Sequence, residues 1–320
     1  MVSFALATTL LFLYWFGSSA QVITIVAILK HTEWKKSPGL LLISSLAISD
    51  CLGCFRGLIG TIEHFTGFQF WEGASYFWGA IGNLSWACSS YHMIVLAYNR
   101  FIYICIYWNP IPYAGVKRIK QILAFLWVFC VVYFIVHKYV VCCAVVWDSQ
   151  LIGSYYESEQ NRTDWMSLYD VYGVVYPTCA LPCVFYIFVF AKLLSFVCGM
   201  STQGQSSTLD IKLCIQFFIV IMVYLSMNVA WYGVPAGFLP AGWVSVAGSV
   251  MLCANFVINP VVYLVFNVTI RDAVKKLFGM GSNQVLPVAT MPSSRRPSKK
   301  PAGPGVIGTN ATRVVPAPQA

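Results

Sequence analysis

Seven apolar runs, each long enough to cross a bilayer, alternate with short polar segments along the chain: roughly 4–29, 38–59, 77–106, 119–146, 167–198, 211–232 and 242–266. A spanning helix needs about 20 mostly apolar residues, so the pattern predicts seven membrane-spanning helices, numbered here in chain order. The first run contains no Asp, Glu, Lys, Arg or His. It lacks the basic start of a signal peptide and is longer than one, so it reads as the first spanning helix. After the seventh run the pattern narrows to a helical stripe. Ile270, Val274, Leu277 and Phe278 fall on one side, and Arg271, Lys275 and Lys276 face headgroups. That segment reads as an amphipathic helix lying against membrane lipids. The expected fold class is an all-α membrane protein, a seven-transmembrane helix bundle with an amphipathic eighth helix. Residues 1–278 make the membrane domain, and residues 279–320, rich in Pro, Gly, Ser and Ala, are expected to be a disordered cytoplasmic tail.

Composition supports this reading. Of 320 residues 58% are hydrophobic and only 10% charged, with a mean hydropathy of +0.71; an average soluble domain is about 25% charged. The net charge of +9 does not point to nucleic acid, because no soluble basic module is present. The cations cluster between the apolar runs instead. The loops after helices 1, 3 and 5, with their edges, carry Lys30, Lys35, Lys36, Lys117, Arg118, Lys120, Lys192 and Lys212, whereas the loops after helices 2, 4 and 6 carry only Arg162. This asymmetry puts the N-terminus outside and the tail inside. The sequon Asn161-Arg162-Thr163 then lies in the second outer loop, where Asn161 is a glycosylation acceptor. The matches at Asn83, Asn267 and Asn310 lie in a helix or on the inner side and read as chance. All 12 cysteines fall within or at the ends of apolar runs, the usual place of small buried hydrophobes. No Cys/His spacing resembles a metal-ligand set.

Polar groups inside a bilayer are costly unless paired, which makes each a functional candidate. They are Asp50, Arg56, Asn99, Arg100, Lys138, Asn228, Asn255 and Asn259. Helix 2 carries Leu46-Ala47-Ile48-Ser49-Asp50, an acid near mid-membrane. Helix 3 ends in Ala97-Tyr98-Asn99-Arg100-Phe101-Ile102, with Arg100 on the inner side. Helix 7 ends in Asn259-Pro260-Val261-Val262-Tyr263, where Pro260 removes a backbone hydrogen bond and kinks the helix.

These three motifs, in this order on an N-out seven-helix chain, resemble a rhodopsin-like G-protein-coupled receptor. The Asn99-Arg100-Phe101 step is most similar to the nematode chemosensory serpentine receptors of class x, with classes t and sx nearby. Ser37-Pro38-Gly39-Leu40 opening helix 2, Lys212 and Gln216 opening helix 6, and Phe266-Asn267 leaving helix 7 echo the same family.

The resemblance implies a plasma-membrane chemoreceptor for a small-molecule cue, signalling through a heterotrimeric G protein. It places Asn99, Arg100 and Tyr263 at the coupling face, and puts Asp50, Ser89, Asn255 and Asn259 in a shared polar pocket. There a sodium ion is one way to relieve the Asp50 carboxylate; protonation or bridging water is the other. No other cofactor is implied. Departures from the family pattern bear on activation. Asn99 stands where an acid usually precedes the arginine, leaving Asp210 as a substitute partner for Arg100. Ser75 occupies the place of the usual disulfide cysteine, helix 6 has no proline from Val220 to Ala230, and helix 1 lacks the usual Gly-Asn pair. Helix 5 carries Pro177 and Pro182, and residues 242–266 hold no lysine for a retinal Schiff base.

Two cations lie toward the outer side, Arg56 on helix 2 and Lys138 on helix 4 beside His137. They either snorkel or line an outer ligand pocket that favours an anionic small molecule such as an acidic pheromone. In the tail, Ser293-Ser294-Arg295-Arg296-Pro297-Ser298-Lys299-Lys300 is a basic cluster suited to anionic lipid, and phosphate on Ser298 would cancel part of its charge. A transporter or channel is the alternative class, but it calls for internal repeats or rings of charge, and none is visible. An enzyme would need a nucleophile–base or metal constellation; His31, His64, His92 and His137 form none.

Overall fold

The computed structural model describes residues 4–68, 71, 73–106, 111–139, 144–148, 153–157, 170–197, 208–229 and 241–280. Within these, the side chains of 111–112, 136–139, 144–148, 153–157, 170–171, 196–197, 208–214, 217 and 241–246 lie outside the description. The main helices among the described residues are α1 (Phe4–His31), α2 (Pro38–Thr66), α3 (Ala74–Cys105), α4 (Val116–Tyr139), α5 (Tyr176–Val197), α6 (Thr208–Asn228), α7 (Ala241–Phe266) and α8 (Val268–Leu277), with single helical turns at Trp34–Lys36 and Ile111–Ala114. A π-helical turn, Asp170–Val175, leads into α5. The seven long helices form the expected bundle: α2 packs against α1, α3, α4 and α7, α3 against α4, α5 and α6, and α1 and α6 against α7.

Among the described residues, five helical segments are long and apolar enough to cross a membrane by length and composition: Phe4–His31, Pro38–Thr66, Val116–Ile135, Tyr172–Ser195 and Ala247–Phe266. The helix α3 is just as long but more polar, because it is central. Its buried face holds Asn83, Ser85, Ser89, Ser90, His92 and Asn99, and such groups are tolerated in a bilayer when neighbouring helices bond them.

The ends follow local rules. Ser37 caps α2 by accepting from the Leu40 amide (3.4 Å), with Pro38 pre-set for the first turn. Gly67 ends α2 in the left-handed conformation (φ 65°). Asn267, one of the chance sequon matches, caps α8 by accepting from Ile270 N at 3.2 Å. Ile270 and Ala273 bury the apolar side of α8, which packs against α1 and α7.

Two boundaries depart from the expected ones. The apolar run 119–146 is not one helix: α4 stops at Tyr139, and Ala144–Asp148 forms β1, paired antiparallel with β2 (Gly153–Glu157) so that Ala144 faces Glu157 and Asp148 faces Gly153. The strand β1 holds Val145, Val146 and Trp147, β-branched and aromatic residues that suit a hairpin. Helix α2 also continues past residue 59 to Thr66, since Thr61 and Glu63 remain buried.

Candidate functional site

Asp50 sits at the centre of α2, fully buried. Its Oδ1 accepts from Ser89 Oγ of α3 at 2.7 Å, and its Oδ2 accepts from Asn259 Nδ2 of α7 at 2.5 Å. Gln21 of α1 completes the group: its Nε2 donates to Asp50 Oδ2 at 3.4 Å and to the Phe256 carbonyl at 3.0 Å. One carboxylate thereby ties four helices. The approach is close because Gly53, one turn along α2, has no side chain. A β-carbon there would lie 2.5 Å from the Phe256 ring. Beside the carboxylate, the Ser49 and Ser85 hydroxyls donate to each other's backbone carbonyl at 3.0 and 2.7 Å, locking α2 to α3.

Asn255, expected in the same pocket, is fully buried, but neither end of its amide has a partner among the described residues. Asp50, Ser89 and Asn259 are brought together; Asn255 is not bonded to them. Gln21 was not among the expected site residues. Its signal was a lone amide in a run free of charge, which carries little weight without a known partner.

A second buried cluster was also missed. His92 Nδ1 lies 2.7 Å from the Cys88 carbonyl, and His92 Nε2 lies 2.8 Å from Ser45 Oγ. A carbonyl only accepts, so Nδ1 carries the proton, and in the neutral ring Nε2 accepts from the Ser45 hydroxyl. Ser45 Oγ in turn accepts from Trp127 Nε1 at 2.9 Å. This chain joins α2, α3 and α4.

Toward the inner end, Asn99 is buried, with its Nδ2 unpartnered among the described residues. The Arg100 guanidinium lies beside Gly39 in the first turn of α2, where a β-carbon would be 3.8 Å from Nη2. Tyr263, one turn beyond Asn259 and just past Pro260 in α7, is fully buried, and its hydroxyl has no hydrogen-bond partner among the described residues.

Toward the outer end, Arg56 is 3% exposed and packs on α3 at Gly82, where a β-carbon would meet Nε at 2.7 Å and Cζ at 3.0 Å. Its charged end is therefore inside the bundle. Lys138 falls in the last turn of α4, and its side chain lies outside the description, as does that of Asp210. Asn161, Ser298 and the tail also lie outside the described residues. Among the described residues, eight cysteines, Cys54, Cys88, Cys130 and Cys253 among them, carry free thiols.

The model of the serpentine type 7TM GPCR chemoreceptor Srx family matches residues 11–267. The chain belongs to the Srx family. This is a receptor family rather than an enzyme class, and it makes the protein a multi-pass membrane protein. Among solved structures, squid rhodopsin superposes with a TM-score of 0.68 over 86% of this chain and 85% of the squid chain, at 18% identity. At that identity the likeness speaks for the shared seven-helix fold. No curated protein sequence matches the chain. The Srx match covers all three motifs, from Asp50 through Arg100 to Tyr263.

Proposed function

We propose that this Srx-family chain is a plasma-membrane chemosensory receptor, which binds a small-molecule cue from the outer side and activates a heterotrimeric G protein on the inner side. The observation that carries this reading is the Asp50 junction, which joins α1, α2, α3 and α7. Ser89 lies eleven residues before Arg100 on the same helix, about 16 Å along its axis. A rearrangement at the junction therefore reaches the inner arginine through one rigid element.

A sodium ion fits the chemistry of the junction. A hard cation takes oxygen ligands, and beside the Asp50 carboxylate and the Ser89 hydroxyl stand two buried amide oxygens, Gln21 Oε1 and Asn259 Oδ1, that are unpartnered among the described residues. When bound, the ion would neutralise the carboxylate. The outer cation Arg56, with Lys138, is assigned to recognition of an anionic small molecule, because a planar guanidinium binds a carboxylate by two parallel hydrogen bonds.

The test is heterologous expression with a panel of acidic and neutral small molecules. Ligand-dependent G-protein activation supports the reading; ligand-evoked flux or current without it favours a transporter or channel. A tag at residue 1 that is reached by antibody on intact cells supports the N-out orientation.

A further inference from the structure

The helix α6 packs along α7 and touches α3 and α5 only sparsely. On that side Phe218 meets the Phe190 ring of α5 edge to face, centroids 5.1 Å apart, and one polar tie is added to the apolar packing. Tyr224, fully buried on α6, is hydrogen-bonded through its hydroxyl to Thr178 of α5. Thr178 Oγ1 also lies 2.6 Å from the Val174 carbonyl. That carbonyl can only accept, so the Thr178 proton goes to Val174 and the Tyr224 phenol donates to Thr178. Val174 lies in the π-helical turn, and that turn is held to α3 by the Tyr91 hydroxyl, which donates to the Gly173 carbonyl at 2.6 Å. Ser90 of α3 faces the same phenol. Among the described side chains, no other on α6 hydrogen-bonds to α3 or α5.

Eight residues earlier on α6, Gln216 is in the opposite condition. It is fully buried, and both its Nε2 and its Oε1 are without a partner among the described residues. A buried amide left unpaired is penalised. Any shift of α6 that lets Gln216 reach water or a polar group relieves that penalty.

We infer that the Tyr224–Thr178 hydrogen bond is a latch that holds α6 in its resting place, and that the buried Gln216 amide biases α6 to leave it. The consequence for signalling rests on the G-protein reading above; the latch itself does not.

Hydrogen exchange of the Thr208–Asn228 amides in the purified full-length receptor reads the latch without any G protein. Tyr224→Phe and Thr178→Val should each speed α6 exchange by roughly fivefold, the factor carried by one net hydrogen bond. The double variant should exchange no faster than Tyr224→Phe alone, because that variant already breaks the bond that Thr178→Val removes. Gln216→Leu, close in size but apolar, should slow exchange. In cells, ligand-independent signalling should rise for the first two variants and fall for the third. Altered α6 exchange with no signalling from the wild type would uphold the latch and sink the coupling reading. Unchanged α6 exchange in both Tyr224→Phe and Thr178→Val, or faster exchange in Gln216→Leu, would overturn the latch.

Discussion

Gln21 on α1 and Asp50 on α2 are joined by an amide that serves two acceptors at once: Gln21 Nε2 donates to the Asp50 carboxylate at 3.4 Å and to the Phe256 carbonyl of α7 at 3.0 Å. The carbonyl belongs to the last turn before Asn259, whose own amide is the short partner of Asp50. Gln21 thus holds both the acid and the segment of α7 that presents its partner.

Gln21→Leu keeps the bulk and removes both hydrogen bonds. Inter-helical hydrogen bonds in membranes are each worth about 0.6 kcal/mol on average, and a buried carbonyl left unpaired costs about 1–3 kcal/mol. A loss of roughly 1–3 kcal/mol is expected, seen as earlier thermal unfolding of the solubilised receptor. Gln21→Asn, one methylene shorter, should fall between the two. Wild-type stability in Gln21→Leu would mean that the bridge contributes nothing.

Ser45 gives the second cluster its strongest test, because one hydroxyl serves two neighbours. It donates to His92 Nε2 and accepts from Trp127 Nε1. Ser45→Ala leaves both ring nitrogens unpaired, so it should cost more than Trp127→Phe, which removes one donor. In a double-mutant cycle Ser45→Ala and Trp127→Phe should be strongly non-additive. Additive thermal shifts would show that the two residues act separately.

Arg56 and Gly82 form the outer test. Gly82→Val places side-chain carbons where the guanidinium lies and should displace Arg56 without altering its charge. If Arg56 recognises an anion, Arg56→Gln should weaken an acidic ligand by about 1.5–3 kcal/mol, the range for a hydrogen bond to a charged group, and spare its neutral ester. Gly82→Val should weaken the same acid. Equal potency of acid and ester on the wild type would leave Arg56 a structural cation.

The elements were legible because a bilayer imposes one length and one chemistry on each span. The Asp50–Ser89–Asn259 contacts were legible through the family resemblance, since motif order supplies what spacing cannot. Gln21 was hidden because its partner is on another helix 29 residues away and its bonded carbonyl 235 residues away. His92 was hidden for a related reason: only packing shows that α2 and α4 meet at its ring. The β1–β2 hairpin escaped because a valine-rich segment is apolar in either state, and hydropathy does not separate the end of a helix from a strand.

The central claim, that this receptor signals through the inner end of α3, is tested most directly by Arg100→Ala. Arg100 is at the inner end, beside the first turn of α2, and far from Arg56. The variant should therefore reach the cell surface and bind its ligand with wild-type affinity, yet lose ligand-dependent G-protein activation. Full activation by an Arg100→Ala receptor expressed at wild-type surface density would contradict the claim.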